Sequence, residues 1–312
     1  MNWYCSPPSI LLAAFSVLFT ASCAFVSVQP SAGDLQLQLE DAARSVRGTV
    51  GIYVRNLETG ETAAVNADTL FPTASMIKVP ILCGVFDKIV SGDLEYDSAY
   101  VYRDSLLYAG VDILGSFRDS ATITLSKLVM LMIATSDNTA SLWLQSMCGT
   151  GTAINDWLER NGFHATRVNS RTPGREELRK HYGWGMTTPR EMAELLAYIR
   201  VGKAVRPDAG EEMYRVLSNI YWSDGALSQI PPTINAASKQ GAVDESRSEV
   251  VLVNAPHGDF VFCVITKDLQ DTSWKRENEA STLIRKVSSM LWNYFEPNFG
   301  WSPLPESEKW QK

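Results

Sequence analysis

The sequence predicts an α/β fold of the α+β kind: one antiparallel sheet built from the N- and C-terminal segments, flanked by helices, with an all-helical lobe inserted between them. Three observations carry this. Apolar and polar residues alternate with the two-residue period of a half-buried strand near the start of the chain, and strand-like segments return near its end. Helical spacing of apolar residues dominates the stretch between, roughly residues 70–220. A chain of 312 residues, 45% of them hydrophobic, is long enough to bury a substantial core.

The elements follow in order. "QPSAGDLQLQLEDAARSV" has apolar positions at Leu35, Leu37, Leu39, Ala42 and Ala43 and predicts a first amphipathic helix. "GTVGIYVRNLETGETAAVNAD" alternates on both sides of "ETGE" and predicts a hairpin. Residues 76–92 are almost wholly apolar, which suits a helix at the centre of a domain. "TLSKLVMLMIA" (124–134) is a second buried helix stopping at "TSDN"; "ASLWLQSM" resumes helical spacing, and "AINDWLERNG" ends on an Asn-Gly stop. Residues 163–186 show no periodicity and contain Pro173, Gly174, Gly183 and Gly185, so they predict a long loop of the kind that carries function. "TTPREMAELLAYIR" restarts a helix, with Thr188 as cap and Pro189 in the first turn. "SEVVLVNAP" and "GDFVFCVITK" predict two strands around a "HGD" turn, and "NEASTLIRKVSSMLWNYF" predicts a long closing helix.

Composition narrows the function. A net charge of −7 with dispersed lysines and arginines gives no basic field, so no nucleic-acid partner is expected. "ILLAAFSVLFTA" (10–21) is too short to span a bilayer comfortably and matches the apolar region of a secretory signal. Residues 1–24 therefore predict a signal peptide or lipoprotein leader, ending by cleavage near Ala24 or lipidation at Cys23, ahead of a single catalytic domain over 25–312. This implies an exported protein, periplasmic or membrane-anchored. Cys83, Cys148 and Cys263 remain in the mature part; an odd number at irregular spacing is no disulfide framework, and small buried hydrophobes are the simpler reading. His164, His181 and His257 form no ligand-spaced cluster, so no metal and no cofactor are expected.

The chemistry gathers around "TASMIKVP" (73–80), where Ser75 and Lys78 lie three apart and so share a helix face. A lysine in a dry pocket at the positive end of a helix has its ammonium form disfavoured, and acts as base toward a neighbouring hydroxyl. The plain alternative is a capping serine and a snorkelling lysine. Two further stretches weigh against that alternative: "TSDNTA" (135–140) and "SKQGAVDESRSEVVLV" (238–253).

With Ser-x-x-Lys, Ser-Asp-Asn and a Lys-x-Gly triplet in that order, the chain resembles the class A serine β-lactamases and the wider penicillin-recognising serine hydrolases from about residue 35 to 296. The resemblance implies the β-lactamase-like fold and a serine hydrolase acting through an acyl-enzyme, without cofactor and as a monomer. The substrate implied is a β-lactam; a cell-wall-peptide-like amide and a binder that stays acylated are the alternatives. It makes Ser75 the nucleophile, Lys78 its amine and Ser136 the relay to the departing nitrogen. Asn138 then binds the substrate amide, Lys239, Gln240 and Gly241 face the substrate carboxylate, and the backbone N–H groups of Ser75 and Ala242 form the oxyanion hole. Asp137 is expected to hold the bend between helices.

Two departures stand out. Gln240 replaces the small hydroxyl residue of the third triplet, which narrows the site while keeping an amide donor, and Arg247 is available either as an anion contact or as an ion-pair partner of Glu245 or Glu249. In the loop, Thr172 falls where the lactamases carry the glutamate that activates the deacylating water, and threonine cannot serve as that base. Glu176 and Glu177 follow closely, and the charges around them predict a solvated face.

Overall fold

A computed structural model describes Met1 and residues 32–110 and 112–310. The chain divides at Pro30 into two units. The predicted leader, Cys23 included, lies outside the described residues, and every described helix and strand belongs to the unit from Ser31 onward.

Helix α1 (Ala32–Ala43) buries Leu35, Leu39 and Ala42, while Leu37 points outward at 65% exposure. The hairpin β1 (Thr49–Asn56) and β2 (Thr62–Val65) follows, then the short strand β3 (Phe71–Pro72). A 3-10 turn, Ala74–Ile77, runs directly into α2 (Lys78–Val90), in which every residue from Lys78 to Phe86 is buried. Pro80 sits in the first turn of α2, where a missing N–H removes little. A two-stranded ribbon, β4 (Ala99–Val101) and β5 (Thr122–Thr124), leads into α3 (Leu125–Ala134), α4 (Asn138–Met147) and α5 (Thr150–Arg160).

The predicted loop is more structured than its sequence suggests. It contains β6 (Arg167–Val168), α6 (Glu176–Tyr182) and β7 (Gly185–Thr187), and β7 lies between β3 and β6 in a small sheet. Helix α6 buries none of its residues, so no apolar period marks it. Helix α7 (Pro189–Arg200) starts as predicted, with the Thr188 hydroxyl accepting from the Glu191 N–H. Helix α8 (Pro207–Leu217) completes the helical lobe.

Strands β8 (Ala236–Val243), β9 (Ser246–Val253) and β10 (Phe260–Lys267), then α9 (Glu279–Phe295), finish the chain. The five-stranded sheet has the order β2-β1-β10-β9-β8, all neighbours antiparallel, so its two ends of sequence meet at β1 and β10 with Thr49 opposite Lys267. Alternation along β9 sends Val250 and Leu252 to a core shared with α2, α3, α7 and α8, and Val251 and Val253 to a second core beneath α1 and α9. The edge strand β8 borders the helical lobe, and the turn that begins α2 packs against it.

Candidate active site

Ser75 sits inside the 3-10 turn that opens α2, and Lys78 is one turn on. Ala74, the residue before the serine, has φ of 44°, and Ser136 has φ of 62°. Both are non-glycine residues in the left-handed region, a strain that persists only where surrounding structure fixes it. The strained backbone aims the two hydroxyls at one point.

That point is the Lys78 amine, fully buried. Its Nζ lies 3.2 Å from Ser75 Oγ, 3.0 Å from Ser136 Oγ, 2.5 Å from Ser136 O and 2.8 Å from Asn138 Oδ1. The Ser136 carbonyl and the Asn138 amide oxygen can only accept, so a neutral amine serves them with its two N–H groups and turns its lone pair to one of the two hydroxyls. Burial, reinforced by the Lys239 charge and opposed by Asp137, holds this lysine well below its ordinary range.

Asp137 does what its place in the motif predicted. Buried at the N-cap of α4, it accepts from the N–H groups of Ile113 (2.7 Å), Leu114 (2.8 Å) and Ala140 (2.8 Å), tying the bend between α3 and α4 to the segment that crosses it. Burial raises its pKa even against these three donors.

Strand β8 brings the third triplet alongside. A Cβ on Gly241 would stand 2.5 Å from Thr73 O and 3.0 Å from Ser75 N, so only glycine lets the strand approach Ser75 this closely. Ala242 follows at the mouth of the cleft. Lys239 is completely buried, and its Nζ donates to Gln240 O and Gln240 Oε1, both at 3.1 Å. The Gln240 carbonyl oxygen is thus occupied, leaving its NH2 as the donor for a substrate. Burial lowers Lys239 to about 7, against the pull of the Glu249 carboxylate.

Arg247 departs from both partners considered for it. Among the described residues it makes no ion pair with Glu245 or Glu249; its guanidinium donates to the carbonyls of Val243, Ser246 (3.0 Å) and Ser273 (2.8 Å) and stacks over Trp274 at 4.3 Å. Backbone carbonyls at the β8–β9 turn outcompete a carboxylate because they converge on the guanidinium already in place. It still lines the cleft.

The loop residues fall as their chemistry predicts. Thr172 is buried and donates its hydroxyl to Ser170 O at 2.9 Å. Glu176 and Glu177 are exposed, Glu176 accepting from Gly174 N and Glu177 pairing with Lys180 at 2.6 Å. None of the three lines either cleft beside Ser75. The three cysteines are free and buried, and burial pushes the Cys148 thiol up to about 12.

Two clefts meet at Ser75, Asn138 and Ala242. The first, about 550 Å³, runs from Ser136 and Gln240 to the segment before α9. Sequence reasoning missed one wall of it: Trp222, Asp224 and the buried Glu249, whose carboxylate accepts from Ala226 N and Ser238 Oγ, both at 2.7 Å. Gly225 makes room for that carboxylate, since a Cβ there would lie 2.3 Å from Glu249 Oε2. Burial raises Glu249 to about 7. The signal was a lone acid at an inward position of the strand "SEVVLV", which the residue's pairing with Gln240 across β8 and β9 now explains.

An amine held between two hydroxyls beside an N–H-lined strand edge defines a serine hydrolase site of the penicillin-recognising kind. The model of the Beta-lactamase enzyme family matches residues 34–295, and the chain belongs to that family. Among relatives, it is 22% identical over 300 residues to Beta-lactamase VEB-1 of Pseudomonas aeruginosa, covering 92% of this chain and 97% of that one. It is 23% identical over 261 residues to Beta-lactamase ROB-1 of Haemophilus influenzae, covering 81% and 82%. Among solved structures, a β-lactamase from Sphaerobacter thermophilus superposes with a TM-score of 0.75 at 24% identity, over 85% of this chain and 97% of that one. A mutant of PBP-A, solved as an acyl-enzyme complex with penicillin G, gives the same TM-score, identity and coverage. The fold is that of the class A β-lactamases, and the protein is a β-lactamase-like serine hydrolase.

Proposed function

We propose that Ser75 opens the cyclic amide of a β-lactam and that the resulting acyl-enzyme is then hydrolysed. The observation that carries the reading is the buried Lys78 amine within hydrogen-bond reach of both Ser75 Oγ and Ser136 Oγ. Lys78 takes the hydroxyl proton as Ser75 Oγ bonds to the lactam carbonyl carbon. The carbonyl oxygen becomes an oxyanion between the N–H groups of Ser75 and Ala242. As the C–N bond breaks, the proton passes from Lys78 through Ser136 to the leaving nitrogen, and Asn138 and the Gln240 NH2 orient the substrate. Water then attacks the ester, its oxygen bonding to the acyl carbon as the Ser75 ester bond breaks, and one water proton ends on Ser75 Oγ, restoring the hydroxyl.

A second reading is favoured by the loop. With Thr172 turned onto Ser170 O and both following glutamates facing solvent, no loop carboxylate among the described residues stands ready to activate that water. The acyl-enzyme is then long-lived and the protein traps the drug, or serves a related amide such as a cell-wall peptide. The penicillin G adduct of the PBP-A mutant shows that a protein of this fold holds such an ester. Incubating the protein with benzylpenicillin while following intact mass and drug loss separates the readings. Drug turnover supports the hydrolase, a persistent adduct without turnover supports the trap, and neither adduct nor turnover, unchanged in Ser75→Ala, overturns both. Export, a lipid anchor at Cys23 and a monomeric state belong to the same proposal; fractionating cells that express the protein and its Cys23→Ser variant tests the anchor.

A further inference from the structure

The two clefts that meet at Ser75 differ in charge and in surface. The first carries the cations Arg247, Lys275, Arg276 and Arg285 against the carboxylates of Asp224 and Glu249. The second, about 470 Å³, is walled by Tyr108, His181, Tyr182 and Trp184 and rimmed by Glu245 and Asp268. Its aromatic rings hold one another: Tyr108 meets Trp184 edge-on at 5.1 Å, and His181 meets Tyr182 at 4.4 Å. Lys267 also lines the cleft, its ammonium donating to Leu70 O at 3.0 Å over the ring of Phe71, and its single positive charge offsets only one of the two rim carboxylates. Both rim carboxylates are exposed, and the nearby Ser246, 1% exposed, keeps a buried Oγ without a hydrogen-bond partner among the described residues. Aromatic faces and two exposed carboxylates form a receptor for a cation with apolar flanks. A substrate whose scissile amide lies at Ser75 reaches into both clefts at once, because Ser75 belongs to both.

Resting on the acylation of Ser75, we propose that the second cleft selects acyl donors carrying an ammonium group on the acyl side of the scissile amide, so that the favoured substrate is zwitterionic. Its carboxylate lies in the first cleft, toward Gln240 and the cations beyond it. Its ammonium lies among Tyr108, Tyr182 and Trp184, facing Glu245 and Asp268. The contribution is that of a partly exposed cation site, a few-fold in rate for each partner, and it weakens as salt screens it.

Benzylpenicillin and ampicillin differ only by an α-amino group on the acyl side chain and so serve as the probe pair. Second-order acylation constants of the full chain, read by intact mass at pH 6.5 and low salt, give a ratio of ampicillin to benzylpenicillin. In the Glu245→Gln/Asp268→Asn double variant that ratio falls about five-fold, and it falls likewise in the unaltered protein at ~0.5 M salt, where screening acts within about 5 Å. Glu245→Lys shifts the preference toward benzylpenicillin. Adducts of both drugs with a ratio unchanged in these variants overturn the proposal and leave the acylation reading standing. Absence of both adduct and drug loss with either drug overturns the acylation reading and this proposal with it.

Discussion

At the scale of single residues, the site turns on which amine is neutral. Replacing Lys78 by arginine puts a permanent cation where a neutral amine stood and removes the base, since a guanidinium stays protonated. Acylation by benzylpenicillin then falls by ~10³-fold or more, measured as the rate of mass gain. Lys239 and Glu249 make a separate prediction about stability. Lys239 is held at about 7 against an ordinary 10.5, so between those values the unfolded chain binds more protons there and stability rises with pH. Glu249 is raised to about 7 from 4.5, so between those values the folded chain binds more protons and stability falls as pH rises. Urea unfolding across pH 4 to 10 therefore shows a minimum near neutrality, and Glu249→Gln flattens the acid-side slope and moves the foot of the alkaline rise to lower pH, because the carboxylate that holds Lys239 up is gone. An unchanged slope between pH 4.5 and 7 in that variant rules out Glu249 as its source.

At the scale of elements, β8 and the long loop set what the residues can do. Gly241→Ala forces β8 away from the nucleophile, because the new methyl meets Thr73 O and Ser75 N. It costs ~1–3 kcal/mol of stability and most of the acylation rate, readable by thermal unfolding and adduct formation together. Glu176→Gln and Glu177→Gln, each alone, leave the lifetime of the acyl-enzyme unchanged; a longer lifetime in either identifies a base that the solvent-facing carboxylates do not suggest. These elements also mark the limit of the sequence. The hairpin β1–β2 was legible from its alternation and α1 and α7 from helical spacing, while α2, α3, β9 and β10 were read as apolar runs told apart by length and β-branched content; β8 and the short strands β3 to β7 were not read. Helix α6 buries nothing and has no period to read, and α8 lies in a segment that offered no motif to draw attention. Within the site, Ser75, Lys78, Ser136 and Asn138 were legible from motif spacing. Glu249, Trp222 and the aromatic walls of the second cleft were not, since three-dimensional pairing alone brings residues 108, 184 and 245 to one place.

At the scale of the molecule, two cores sit on either face of one sheet, and α9 seals the second. Trp292, 1% exposed on α9, packs edge-on against Phe299 at 5.1 Å. Trp292→Ala costs ~3–5 kcal/mol by removing that filling from the second core. Acylation by the folded fraction is preserved, because Ser75 and Lys78 flank Met76, Ile77 and Val79 of the other core and Trp292 lies two turns beyond Arg285, the last α9 residue lining the cleft. A parallel loss of specific acylation rate in the folded protein contradicts that separation.

The pairing of β1 with β10 also sets a timetable. Strand β1 is among the first parts of the domain to leave the ribosome, yet its partner, beginning at Phe260, is among the last. Until then β1 has only the four-residue β2 beside it, and a lone hairpin is marginal in water. Long-range pairing of this kind closes slowly and late. Strand β8, which carries the N–H proposed for the oxyanion, arrives on the same late schedule, so on the proposed mechanism a nascent chain holding Ser75 and Lys78 already in sequence remains chemically silent. Reactivity toward the drug switches on only when the C-terminal third of the chain has been made and has docked.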